Sequence, residues 1–182
     1  MPTVSLTWSD TVSDNFGGGA IDNVAADDGS FAGADTVGQV GTFNLTDLPA
    51  NAGTVNSVQL KLTDAHIELR GGSSEITTTI GHAGGSYYNE VQVVGESLTA
   101  YTLTSRTTSD GSSAWTVAEV NAIQISLKVS SATPHIGAGV KLDFLELIVD
   151  YEVGGPAPYL TTNNILRVTE GSINLTSGNI RI

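Results

Sequence analysis

The sequence predicts an all-β protein: an antiparallel β-sandwich of jelly-roll type over residues 1–153, followed by a β-structured C-terminal segment. Three observations carry that prediction. Apolar and polar residues alternate in one short run after another, the period of a half-buried strand. Clusters of Gly, Asn, Asp and Ser separate the runs, and glycine alone supplies 21 of 182 residues. A single stretch carries a helix-start signature.

Taken in order, Val4, Leu6 and Trp8 alternate with Thr3, Ser5 and Thr7 and form a first strand. From Ser9 to Gly33 the pattern fades into Asp10, Asp14, Asn15, Gly17–Gly19, Asp22, Asp27, Asp28 and Gly29, a long loop of local turns. Its apolar residues, Phe16, Ile21, Val24 and Phe31, are placed to pin it onto the sandwich or onto a neighbouring subunit. Val37–Leu48 resumes strand character with Phe43 and Leu45 inward, and Pro49–Gly53 turns the chain. Val58, Leu60 and Leu62 share one parity, Ile67 and Leu69 the other. A pleated strand changes faces only through an irregularity, so a bulge is expected near Asp64–Ala65. Gly71–Ser74 is a turn, Ile76–Ile80 a short strand, Gly81–Ser86 a loop and Tyr87–Val94 a strand. Leu98–Leu103 follows with Tyr101 and Leu103 inward, then Ser105–Ser113, polar and by composition a flexible loop.

The chain is organised around Ala114–Val153. Thr116 and Glu119 stand in the spacing of a capping box, which predicts a helical turn at Val117–Ala122. Trp115 and Val120 would plug one end of the core. Ile123, Ile125, Leu127 and Val129 then alternate with Gln124, Ser126, Lys128 and Ser130. The last strand has Val140, Leu142 and Phe144 on one parity and Leu145, Leu147, Val149, Tyr151 and Val153 on the other. That predicts a bulge near Phe144–Leu145, with Glu146, Asp150 and Glu152 facing water.

An Ala-Trp-Thr start, a short Ala/Asn helix, an alternating strand and a late strand ending Val-Asp-Tyr resemble a β-sandwich module of tailed-phage virion proteins. The resemblance covers Trp115–Tyr151 and, more loosely, Val4–Val153. A small Gly is common in that module where Ser126 stands here. The resemblance implies a structural or adhesive part of a virus particle and supplies no catalytic residues.

After Val153 the composition breaks. Residues 154–158 (Gly154, Gly155, Pro156, Ala157, Pro158) read as a semi-rigid linker. In residues 159–182 the triplets Leu166-Arg167-Val168, Ile173-Asn174-Leu175 and Ile180-Arg181-Ile182 recur every seven residues. Gly and Asn lie between them and helix formers are scarce, so short strands fit better than a coiled coil. Three triplets cannot bury themselves in one chain. Winding of three chains, as in the β-structured shafts of phage fibres that the repeat resembles, would bury Leu166, Val168, Ile173, Leu175, Ile180 and Ile182. A hairpin packed on the sandwich is the local alternative.

Composition narrows function. Lys+Arg number 7 against 19 Asp+Glu, a net charge of −12, which argues against a nucleic-acid backbone and an anionic membrane surface. Cysteine is absent, which excludes disulfides, thiol catalysis and thiolate zinc sites. No secretory signal or transmembrane run is read, which fits release by lysis within a virion and an intracellular protein equally well. The phage resemblance implies the virion as the location, with synthesis in a host cytoplasm, and no membrane insertion is expected. His66, His82 and His135 are far apart, and no phosphate loop, nucleophile elbow or metal helix occurs. The expectation is no enzyme, no cofactor and no metal. Asp14, Asp22, Asp27 and Asp28 could offer oxygens to calcium, but EF-hand spacing is absent and such residues suit turns anyway. Tyr87 and Tyr88, beside Asn89 and Glu90, are the best local candidates for glycan contact, with at most one ring expected to be exposed and core packing expected for the other. The expected partners are further copies of the chain, a trimer above all, other virion proteins and a host-surface glycan. A carbohydrate-binding module or adhesin is the alternative reading.

Overall fold

A computed structural model describes residues 2–16, 20–34, 36–67, 73–83, 85–132, 139–155, 160–161, 164–169 and 172–175. Ile180, Ile182, His135, Leu69 and the end of the linker lie outside the described residues.

The chain begins by changing sheets. The first strand of the sequence is two strands, β1 (Thr3–Leu6) and β2 (Trp8–Asp14), broken at Thr7. Asp14 ends β2 by accepting hydrogen bonds from Phe16 N and Ile21 N. That seats a 3-10 turn at Ile21–Ala25, and Ile21 and Val24 sink fully into the core. They pin the loop, as its apolar residues suggested. Gly41 allows this approach: a Cβ there would come within 2.7 Å of the Ile21 side chain.

There follow β3 (Ala32–Ala34), β4 (Val40–Leu45), β5 (Ala52–Ile67), β6 (Ser74–His82), β7 (Gly85–Val94) and β8 (Thr99–Thr102). Helix α1 (Val117–Asn121) leads into β9 (Gln124–Ala132), β10 (Val140–Leu142) and β11 (Phe144–Val153). One sheet runs β1-β11-β5-β10-β3, with β8 also on β5; the other runs β2-β4-β9-β6-β7. Among the described residues, the pairings within both sheets are antiparallel. The chain crosses repeatedly between the sheets, as a jelly roll does. The predicted antiparallel sandwich is the fold.

The alternating residues supply the core. Phe43, Val58, Leu60, Leu62, Ile125, Leu145, Leu147 and Val149 are all completely buried. The capping box of α1 forms in full: Glu119 N–H donates to Thr116 Oγ1, and the Glu119 carboxylate accepts from Thr116 N at 2.8 Å. The Thr116 amide and hydroxyl, both donating to it, hold the Glu119 carboxyl below its usual value. Trp115 is buried at 3% exposure and its Nε1–H donates to Arg106 O. It closes the end of the sandwich as expected.

In Ser105–Ser113, Arg106 pairs with Val58, Thr108 pairs with Ala114, and Asp110 accepts from Ser112 N and Ser113 N. Two local expectations are corrected. The face change in the last strand falls at Asp143, and Phe144 is only half-buried. Glu146 does not face water freely; its carboxylate meets Lys61 Nζ at 2.9 Å and is 13% exposed.

The C-terminal strands β12 (Leu160–Thr161), β13 (Asn164–Thr169) and β14 (Ser172–Leu175) form a three-stranded antiparallel sheet of their own. Leu166 stands opposite Leu175, and Val168 opposite Ile173. Before them, Gly154 N–H donates to Asn51 O at 2.7 Å. Gly53 makes room for this contact, since a Cβ on it would meet the Gly154 backbone at 2.8 Å.

Candidate functional site

Two places gather side chains with chemistry. The first is the capped end. Tyr87 is an extra residue in β7: Ile80 pairs with Tyr88, Gly81 with Ser86, and nothing on β6 opposes Tyr87. An extra residue cancels the alternation, so both tyrosines turn toward the same end. Tyr87 lies edge-on to Trp115 with ring centroids 5.0 Å apart, and His82 lies against it at 4.9 Å. Tyr88 lies 6.3 Å from Trp115, and the Arg106 guanidinium sits 4.5 Å above its ring. Its hydroxyl donates to Thr108 O and accepts from Gly111 N. Glu90 holds Arg106 at 3.2 Å and accepts from Thr104 N.

The expectation of at most one exposed tyrosine holds, but the opposite facing behind it does not. Both rings are half-buried, and both already have neighbours on their faces. Burial, with the nearby Glu119 charge, raises the Tyr87 hydroxyl pKa. Both rings thus pack at the end that Trp115 closes.

The second place is a kink shared by two strands. Val140, Lys141 and Phe144 pair with Ile67, His66 and Thr63, so the register holds across the break and sets Asp143 opposite Asp64. Both strands change buried parity at that level: Leu62 and Ala65 are in on one, Leu142 and Leu145 on the other. Asp64 takes a left-handed backbone, φ 52°, which Asp tolerates better than most residues. Asp143 is buried at 2% exposure and accepts from Gly29 N at 3.0 and 3.1 Å and from Asp28 N at 3.4 Å. It thus ties the Asp27–Ser30 turn to the sheet. Asp27 completes a group in which carboxylate oxygens of Asp27, Asp64 and Asp143 all lie within 4.8 Å of one another.

Three acids this close cannot all ionise without cost. Lost hydration, a hydrogen bond to Asp143 and the charges of Asp143 and Asp64 raise the Asp27 carboxyl above its usual value, opposed by Lys61. Hard oxygen donors of this kind suit Ca²⁺ or Mg²⁺. Asp143 is already engaged by the backbone amides of Asp28 and Gly29.

The acids proposed from the sequence for calcium do not gather. Asp14 serves the 3-10 turn, Asp22 lies in that turn's first residues, and Asp28 accepts from Ser30 N. Only Asp27 of that set joins the cluster. Its partners come from positions far along the chain, and no local spacing could have named them. His66 packs edge-on to Phe31 at 5.0 Å, while His82 packs on Tyr87. They stand on strands of different sheets.

No protein-family model and no curated protein matches the chain. A solved structure described as "CBM4 structure and function" aligns with it at a TM-score of 0.36 and 12% identity, over 67% of this chain and 76% of that one. A likeness that low assigns neither kinship nor function.

Proposed function

We propose that the chain is a non-enzymatic virion protein of a tailed phage: a fibre, spike or decoration component that works as a homo-oligomer and contacts other virion proteins and the host surface. One observation carries the reading. The apolar triplets at Leu166–Val168 and Ile173–Leu175 lie in register in a small sheet that adds no strand to either sandwich sheet. A three-stranded sheet stands only with an apolar face to bury. Edge strands of a sheet are sites of further pairing, and symmetric association of chains is the usual way to close them. Three copies would carry three sandwiches at one end of a shared β-structure. The resemblance of Trp115–Tyr151 to a phage sandwich module points the same way. The net charge of −12 suits a solvated particle surface and no nucleic-acid contact.

Negative-stain imaging of the full chain tests this. Particles with three globular lobes on a common stalk are expected; single lobes throughout the field would count against the reading. A free carbohydrate-binding module or adhesin shares the sandwich but leaves the C-terminal sheet without a task, and it is the runner-up for that reason.

A further inference from the structure

The outer face of the five-stranded sheet carries an ordered array of neutral polar side chains. Register places Ser13 beside Thr42, Thr42 beside Ser126, Ser126 beside Thr79 and Thr79 beside Asn89. That rank crosses β2, β4, β9, β6 and β7 without a charge. With strands about 4.8 Å apart it runs roughly 19 Å. A second rank, Asp10, Asn44, Gln124, Gly81 and Ser86, lies beside it with its one charge at the far end. On the other flank, Val40, Lys128, Thr77 and Val91 form a third rank, with Val91 55% exposed. The inward neighbours Phe43, Ile125, Leu127 and Ile80 are buried, which fixes these ranks on the outside.

The side chains are already held in place. The Thr42 and Ser126 hydroxyls bond at 2.8 Å, Thr79 Oγ1 donates to Asn89 Oδ1 at 2.7 Å, and Gln124 Nε2 donates to Asn44 Oδ1 at 3.0 Å. Each pair keeps donors and acceptors to spare: the Asn89 and Asn44 amide hydrogens, the Gln124 carbonyl and one hydroxyl hydrogen of the Thr42–Ser126 pair. Fixed side chains lose little freedom when a ligand arrives.

We infer that this face binds a neutral polysaccharide chain lying across the strands, its hydroxyls on the two polar ranks and its C–H surfaces on Val40 and Val91. The chemistry of the face selects the ligand. Neither polar rank has a cation to hold a phosphate or carboxylate, Lys128 in the third rank is the one cation on the three ranks, and a chain of net charge −12 repels anionic polymers. No aromatic residue stands on the three ranks, so hydrogen bonding to hydroxyls, and not ring stacking, carries recognition. The inference gives the host-surface contact of the proposed function a place, and it rests on that reading only in taking the chain as a binding protein. It needs no particular oligomer.

Affinity gel electrophoresis of the full chain in xylan, galactomannan or hydroxyethylcellulose, with alginate as the acidic control, tests it. Retardation by at least one neutral polymer and none by alginate is expected. Thr79→Arg and Ser126→Arg, which place a bulky charge on the central rank, should each weaken retardation at least tenfold, and Thr3→Arg on the opposite sheet should not. If the arginine variants fail to fold, Thr79→Ala with Asn89→Ala removes the polar groups without adding bulk and should weaken binding about fivefold. No retardation by any neutral polymer, equal retardation by alginate, or wild-type binding in the rank variants would each overturn the inference. So would a Thr79→Arg chain whose only change is its oligomeric state, which would make the face a contact between copies. Native mass spectrometry on the same samples keeps a failure of glycan binding separate from a failure of assembly.

Discussion

At the scale of single residues, environment sets the consequences. The Trp115 ring is buried, packs against two tyrosines and has its N–H satisfied by Arg106 O. Trp115→Ala should therefore cost about 3–5 kcal/mol in urea unfolding. Tyr88→Phe removes a hydroxyl that both donates and accepts in a part-buried setting, and about 1 kcal/mol is expected from the same measurement. Asp27 behaves oppositely. Its carboxyl is raised in the folded chain, so folding favours the protonated form and stability falls as pH rises through the ordinary carboxylate range toward the folded pKa. Asp27→Asn should raise the calorimetric midpoint at pH 7 and change it little at pH 3, with chelator present in both. A lower midpoint at pH 7 would mean that the Asp27 charge is favourable there. The Trp115 plug was legible from an apolar residue beside a capping box. The Asp27–Asp64–Asp143 group was not, because a carboxylate's neighbours across a sheet leave no trace in local spacing.

At the scale of elements, periodicity carried most of the information and register the rest. The capping box, the burial of Ile123–Val129 on alternate positions and the irregularity at Asp64 all followed from residue type and spacing. The two parity changes could each be seen; that they lie opposite one another could not, since only pairing reveals a common level. Tyr87 shows the limit most clearly. Adjacent strand residues face apart in a regular ladder, and a single unpaired residue reverses that conclusion. The same limit hid the outer ranks: Thr42, Ser126 and Thr79 read as the wet side of three separate strands. Predictions at this scale concern the cap. Thr116→Ala removes one half of the capping box and should cost about 1 kcal/mol in unfolding. Asp110, whose carboxyl is lowered to about 2 by the Ser113 and Ser112 amides, holds the turn that precedes α1. Its contribution should be fully present above about pH 4 and fade as pH falls toward 2. Carboxyl NMR titration checks the value directly, and a midpoint near 4 would remove the turn from the account.

At the scale of the molecule, the chain is a sandwich that closes its own core and a C-terminal sheet that adds to neither of its layers. The first part gathers its buried apolar residues into one core between the two sheets. The second part is what an assembly reading uses, and the composition break after Val153 made it visible from sequence. The register of Leu166 with Leu175 and Val168 with Ile173 required the structure. The most direct test of assembly is native mass spectrometry of the full chain beside a form that ends at Gly154, both at the same micromolar concentration. The account predicts a trimer for the full chain and a folded monomer for the shortened one. Two monomers, or the same oligomer from both, would contradict it.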